Sequence, residues 1–266
     1  MLVRMLVMAV LAAAAVPLWA QTVIVREGKP AATLVLPEKA GKDLAAAASE
    51  LAEHVELISG AKLPTTTDAA SAAGVRIYLG SAAPDQGLAK IQAGGDDPAS
   101  LRVFVGKDAV MLSGLSDLAV RFAAYELLEQ LGVRWFCPGE IGRVIPKMTT
   151  VALKQQETIQ HPGFGGRYLG VGGPSGAVWA VRMREGGFDS GRHGLGPRFD
   201  PKTEPELFIH ENGQPTHQVD VTKPEVLKRE IAYCRNLLQK NPHLTSIPMG
   251  PEDGAGFGVT EWDAGD

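Results

Sequence analysis

The sequence predicts an α/β protein: a mixed sheet with helices over residues 21–155, followed from about residue 160 by a region of different character. Three observations carry this. Between Thr22 and Leu153, short β-branched runs alternate with longer stretches of helical periodicity. Glycines stand where the helices should stop and where a hairpin should turn. After His161-Pro162, glycines crowd residues 163–196 and the periodicity lapses until Thr222.

The elements follow in order. Thr22–Val25 and Thr33–Leu36 read as a strand pair with its turn at Glu27-Gly28-Lys29-Pro30. Asp43–Ser59 reads as a helix, because Leu44, Ala48, Leu51, Val55 and Ile58 recur on one face, and Gly60 stands at its C-terminal glycine position. Val75–Leu79 is a short apolar strand. Leu101–Val105 and Ala109–Leu112 flank Gly106-Lys107-Asp108, a hairpin signal. A second helix starts at Ser116 or Asp117, carries Leu118, Phe122 and Tyr125 as a stripe, and ends at Gly132. Val144-Ile145 and Val151–Leu153 are expected to close the unit. Beyond the glycine-rich stretch, Thr222 and Glu225 have the spacing of a capping box. The helix they open runs to about Lys240 on Leu227, Ile231, Cys234 and Leu238. Ser246–Met249 is then a short strand, followed by the loop Gly250-Pro251-Glu252-Asp253-Gly254.

Residues 1–20 read as a secretory signal peptide: Arg4, an uncharged apolar run from Leu6 to Val16, Pro17, and a small residue, Ala20, before the cut. The rival is a membrane anchor, but a spanning helix needs about 20 apolar residues and this run is shorter. No cysteine follows the cut, so lipid attachment is not expected, and no later run would hold the chain in a membrane. The protein is therefore expected in the periplasm or outside the cell. About 245 residues remain, enough for one large or two modest domains. A net charge of -4 offers no basic stripe for nucleic acid. Cys137 and Cys234 are expected to be two separate buried thiols, although an oxidising compartment leaves a bridge open.

HExxH, GxSxG, Walker and CxxC signatures are absent, and no cofactor or metal is expected. The cluster Gly170–Gly176 lacks the GxGxxG spacing, and Pro174 argues against a helix start there. The strongest acidic feature is Glu252-Asp253, just past a strand that follows a long helix. In a barrel of alternating strands and helices, such positions face the active site. Paired carboxylates suit glycoside hydrolysis, yet Pro-Glu-Asp-Gly is equally a solvated turn. Neighbours on an extended chain point opposite ways, so at most one of the two faces substrate. Arg167 would sit on the first strand of such a barrel, within reach of sugar hydroxyls, or serve as a structural arginine. His193 lies in a glycine-rich loop, and His210 and His217 are scattered. Trp179 and Trp262 are both candidate sugar-stacking platforms, with a core position the commoner role for a tryptophan and the favoured reading for Trp179.

The run Tyr125–Glu140, containing Leu131-Gly132-Val133-Arg134-Trp135-Phe136-Cys137-Pro138-Gly139-Glu140, followed by Gly142 and Val144–Lys147, resembles the helix-to-strand signature of the bacterial exported DUF4838-type proteins. Weaker matches run through His161–Arg167, His193, Pro205–Phe208, Gly213, Pro224–Val226 and Pro251–Phe257. The resemblance implies an α-glucuronidase-like or β-hexosaminidase-like N-terminal domain ahead of a glycoside-hydrolase barrel; some relatives are endo-β-N-acetylglucosaminidases acting on N-glycans. It implies a mixed sheet with helices over 21–155, then an incomplete (β/α)8, TIM-type barrel over 160–266. Such a barrel takes at least about 200 residues, so the chain is expected to be a fragment or a truncated product. Gly132 would end the helix, with Val133 packing back and Trp135-Phe136 entering the core. The cysteines the family often places after the Asp-Gly loop are absent from Gly258–Trp262, so no metal or disulfide is carried over. The expected function is glycoside hydrolase-like action on glycans. Asp253 and Glu252 are the catalytic candidates, and Arg167, His193 and Trp262 the substrate contacts. The alternatives are a non-catalytic carbohydrate-binding or envelope protein on the same fold, and a chain inactive by itself.

Overall fold

The computed structural model describes residues 20–187, 193–195, 198–241, 244 and 246–257. Apart from Ala20, the expected signal segment lies outside them, as does Trp262. The chain divides into two compact units, one of residues up to Arg134 with Val144–His161, the other of Trp135–Arg143 with Pro162 onward.

The first unit runs β1 (Gln21–Arg26), β2 (Lys29–Pro30), β3 (Ala32–Val35), α1 (Lys42–Ser59), β4 (Thr65–Thr66), β5 (Val75–Leu79), α2 (Leu88–Gln92), β6 (Leu101–Val105), β7 (Ala109–Gly114) and α3 (Asp117–Gln130). The short strands β8 (Arg134–Trp135) and β9 (Arg143–Val144) stand where the chain leaves and re-enters the unit, which β10 (Val151–Lys154) and β11 (Gln156–Gln160) complete. Its larger sheet has the order β11-β6-β7-β5-β3-β4, parallel from β7 to β4 and antiparallel from β7 to β11. A three-stranded sheet, β10-β1-β2, accompanies it.

The expected pairing of β1 with the Thr33–Leu36 segment does not occur. Glu27 and Gly28 take φ of 51° and 75° and fold β1 tightly onto the two-residue β2. The chain then enters the other sheet, where all four residues of β3 are buried. A strand covered on both faces belongs inside a parallel array, and β3 pairs parallel with β4 and β5. The expected Val144-Ile145 strand shrinks to the two residues of β9.

Both long helices form where expected. On α1 the periodic residues Leu44, Ala48, Leu51, Val55 and Ile58 are buried. Its end is Gly60, left-handed at φ 77°, with its N–H on the Glu56 carbonyl. Helix α3 starts under the Ser116 side chain, which accepts from the Ala119 N–H, and packs against α1, β6 and β7. Gly132 (φ 95°) turns the chain, and the N–H of the buried Val133 returns to the Leu128 carbonyl.

The second unit holds β12 (Gly166–Arg167), α4 (Gly173–Arg182), β13 (Gly186–Gly187), β14 (Phe208–Glu211), β15 (Gln214–Val219) and α5 (Pro224–Lys240). Strands β12 with β13 and β14 with β15 form antiparallel pairs. A cluster of Leu195, Phe199, Leu207, Phe208, Val219 and Val226 forms the core beneath β14, β15 and α5. The mixed α/β class therefore holds, but no barrel is closed: among the described residues of this unit, the parallel pairing is the single bridge between His193 and Gly250.

Several local expectations change here. Helix α4 begins in the glycine cluster, with Pro174 in its first turn, where a missing N–H costs nothing and the fixed φ is already helical. The Thr222–Glu225 capping box does not form. The Thr222 hydroxyl donates to Asp220 Oδ1 (2.6 Å), and Lys223 is the N-cap of a helix opened by Pro224. Helix α5 turns Val226 and Glu230 inward and leaves Leu227, Ile231 and Leu238 exposed, because the buried side is organised around an Arg198–Glu230 ion pair. Ser246–Met249 forms no strand. Trp135 is buried but Phe136 is exposed, so only one of the pair enters a core. Trp179 is half-buried and donates from Nε1 to the Trp135 carbonyl (2.8 Å). Both cysteines are free, as two separate thiols, yet Cys137 is exposed and Cys234 half-buried rather than buried.

Candidate functional site

Strand β15 and the segment 193–195 position the acidic loop from opposite sides. On one side, the N–H groups of Gly194 and Leu195 both reach the Gly250 carbonyl (3.0 and 3.4 Å). Residue 194 must be glycine for this approach, because a Cβ would overlap the Pro248 carbonyl. On the other side, three successive residues of β15 hold the loop's main chain. Thr216 Oγ1 donates to the Gly256 carbonyl (2.9 Å), and His217 Nε2 lies 3.0 Å from the Asp253 carbonyl oxygen. Gln218, 1% exposed, donates from Nε2 to the Glu252 carbonyl (2.7 Å) and accepts at Oε1 from the Glu252 N–H (3.1 Å). Gly254 and Gly256 take left-handed φ of 103° and 95°, which lets the loop follow the strand.

Glu252 and Asp253 point in different directions. Glu252 is half-buried, and its Oε1 is buried with no hydrogen-bond partner among the described residues. The Asp253 side chain is 93% exposed, and its Oδ2 lies 3.2 Å from His193 Nε2. The other nitrogen of that ring, Nδ1, donates to the Pro251 carbonyl. This main-chain hydrogen bond, reinforced by the Asp253 and Glu252 charges, holds the imidazole pKa above its ordinary 6.5. The loop thus presents an outward carboxylate beside an imidazole that favours its charged form.

Of the five candidates from sequence, the structure brings His193, Asp253 and Glu252 together. Arg167 belongs to the β12–β13 pair, where Nε donates to the Arg184 carbonyl (3.1 Å) and Nη1 to the Phe164 carbonyl (2.7 Å). Trp262 lies outside the described residues. His210 donates from Nδ1 to the Phe208 carbonyl in its own strand. Among the described residues no three His, Cys, Asp or Glu side chains converge as a metal site, and no helix is long and apolar enough to cross a membrane. Gln218 was not a candidate. The signal that finds its strand is Asn212-Gly213, a tight-hairpin pair whose φ values are 51° and 74°.

No protein-family model and no curated protein matches the chain. Solved structures similar to it include a family GH115 4-O-methyl-α-glucuronidase with specificity for decorated arabinogalactans, at 16% identity and TM-score 0.44, covering 55% of this chain and 19% of that enzyme. Another is the GH20 β-N-acetylhexosaminidase of Streptomyces coelicolor A3(2), at 16% identity and TM-score 0.36, covering 56% of this chain and 25% of the enzyme. A third is a GH138 enzyme targeting pectin rhamnogalacturonan II, at 18% identity and TM-score 0.30, covering 38% of this chain and 13% of the enzyme. The chain spans no more than a quarter of the length of these three enzymes.

Proposed function

We propose that this is an exported, periplasmic or secreted, glycoside hydrolase-like protein acting on glycans. The observation that carries the reading is the pinned loop that offers the Asp253 carboxylate to solvent beside His193. Glycosyl transfer to water needs a carboxylate at the anomeric centre and a proton-carrying group near the leaving oxygen. Asp253 supplies the first, the His193 imidazolium is placed as a hydrogen-bond donor beside it, and Glu252 adds charge behind the loop. Arg167 and Trp262 complete the proposed sugar contacts, with Nε and Nη1 of Arg167 already engaged by its own hairpin. The finer assignment, α-glucuronidase-like or β-hexosaminidase-like, rests on the Leu131–Glu140 signature.

A second reading, a non-catalytic glycan-binding or envelope protein, is favoured by one observation. With Glu252 Oε1 buried, Asp253 is the outward carboxylate of the loop, whereas glycoside hydrolysis uses two acids across the bond. The test is product release from aryl glucuronides, aryl N-acetylhexosaminides and N-glycans by the purified chain and its Asp253→Asn variant. Hydrolysis that falls about a hundredfold or more in the variant supports the first reading. Glycan binding without product supports the second. Undiminished turnover in Asp253→Asn overturns the role of Asp253.

A further inference from the structure

We propose that Gln218 is the positioning residue of the carboxylate loop: its buried side-chain amide, paired with both main-chain groups of Glu252, sets where the Glu252 and Asp253 carboxylates stand. The functional part of this inference rests on the loop being the glycan site.

A carboxamide offers an acceptor and a donor side by side without carrying charge, which matches the N–H and C=O of a single residue. Gln218 uses both on a single residue, at 3.1 Å to the Glu252 N–H and 2.7 Å to its carbonyl. A pair of bonds fixes direction as well as distance, so the two peptide planes that meet at the Glu252 Cα are held against rotation. At 1% exposure the amide has no water to fall back on, and leaving either half unmade costs its full desolvation. Gln218 is itself tied down, since its own N–H donates to Thr216 Oγ1 (3.2 Å) while that hydroxyl donates to the Gly256 carbonyl.

His217 adds a second feature. Its Nε2 lies 3.0 Å from the Asp253 carbonyl oxygen and 3.2 Å from Gln218 Nε2. With a proton on Nε2 it donates to Asp253; bare, it accepts from Gln218. It can serve one of the two at a time, whereas the Gln218–Glu252 pair does not depend on that choice. The fixed point of the loop is therefore Glu252, and Asp253 is carried by it to the ring of His193.

The experiment substitutes Gln218→Met, which keeps the length and removes both polar atoms, and follows the His193 ring resonance by NMR titration alongside glycan binding and hydrolysis. Thr216→Val is the control, because it removes the hydroxyl's bonds to the Gly256 carbonyl and to the Gln218 N–H and leaves both side-chain bonds between Gln218 and Glu252 in place. The expected result is a folded Gln218→Met protein whose His193 midpoint falls toward that of an ordinary histidine, with glycan affinity or turnover reduced about tenfold or more. The expected control retains most of the wild-type midpoint. A folded Gln218→Met protein with unchanged His193 titration overturns the proposal, as does an equal displacement in Thr216→Val. If Gln218→Met does not fold, Gln218→Asn replaces it. That variant keeps a neutral amide and withdraws it by one methylene from both main-chain groups of Glu252, so an unshifted His193 there overturns the proposal equally. The His193 readout does not need glycan chemistry: a wild-type protein that neither binds nor cleaves glycans defeats the functional reading while the titration still decides the positioning role.

Discussion

The imidazole of His193 and the carboxylate of Asp253 meet at 3.2 Å, Nε2 to Oδ2, while the ring's Nδ1 is committed to the Pro251 carbonyl. A carbonyl can only accept, so Nδ1 carries a proton in either charge state, and a second proton on Nε2 turns a lone pair facing a carboxylate into a donor. His193 is therefore expected to titrate above 6.5, first through the Pro251 hydrogen bond and then through the Asp253 and Glu252 charges. Because the folded pKa is raised, the stabilisation is complete below pH 6.5, the unfolded value, and is lost as the pH rises through the folded pKa. NMR titration checks this, and Asp253→Asn should lower the midpoint. A wild-type midpoint at or below the ordinary value contradicts the geometry.

A second expectation concerns the core of the same unit. Arg198 donates from Nε to Glu230 Oε1 (2.8 Å) and from Nη2 to Oε2, with the Glu230 side chain 5% exposed. The guanidinium also lies over the Tyr233 ring, 4.1 Å from its centroid. Removing the acid strands a charge among apolar neighbours, so Glu230→Ala should destabilise this unit by about 3 kcal/mol. Double substitution with apolar residues of similar volume at 198 and 230 should recover much of that loss. Urea unfolding of the three proteins distinguishes the outcomes, and a single variant as stable as wild type would show the pair to be dispensable.

How much of this was legible in the sequence divides along the chain. In the first unit, Leu44 to Ile58 and the Gly106–Asp108 turn report their elements directly, because local periodicity and burial agree there. The sheet membership of β1 and β3 was not legible, since it depends on which distant strands cover each face. In the second unit, α5 was visible but its inner face was not: Leu227 and Ile231 outweigh Glu230 in any apolar count, and only the presence of Arg198 explains a buried acid. Helix α4 was hidden by its glycines and by a proline whose position in the first turn is favourable. At the site, His193 and Asp253 could be chosen by residue type, but their pairing spans two loops. Gln218 left no signal of function because its partner is a main-chain amide, which every residue has.

In the first unit, Glu157 joins two cations. Arg102, 2% exposed, donates from Nε to Oε1 (2.6 Å), and Lys90 Nζ lies 3.0 Å from both oxygens. These hydrogen bonds, Lys90 first and Arg102 second, hold the Glu157 pKa below its ordinary 4.5. A depressed folded pKa means that the contribution is present above pH 4.5 and is lost as the pH falls through the folded value. Glu157→Ala should cost about 2 kcal/mol at neutral pH, since among the described residues Arg102 keeps only Asp85 as an acidic partner. Thermal melts from pH 7 down to pH 3 should show the wild type converging on the variant, and parallel curves would refute the assignment.

Gly74 and Gly60 share a left-handed backbone, at φ 69° and 77°, but differ in what surrounds them. Around Gly60 the space where a Cβ would stand is open, so Gly60→Ala carries only the conformational penalty of a left-handed alanine, about 1 kcal/mol. At Gly74 a Cβ would overlap the carbonyl of Ala31, the residue leading into β3, whose carbonyl accepts from the Val75 N–H (2.9 Å). That carbonyl cannot withdraw without disturbing the register between β3 and β5, which pairs Ala32 with Val75. Gly74→Ala should therefore cost clearly more than Gly60→Ala, about 3 kcal/mol or above. Chemical denaturation of both variants measures the difference directly. Equal losses would mean that the sheet absorbs the clash at Gly74 by a shift of the Ala31 peptide.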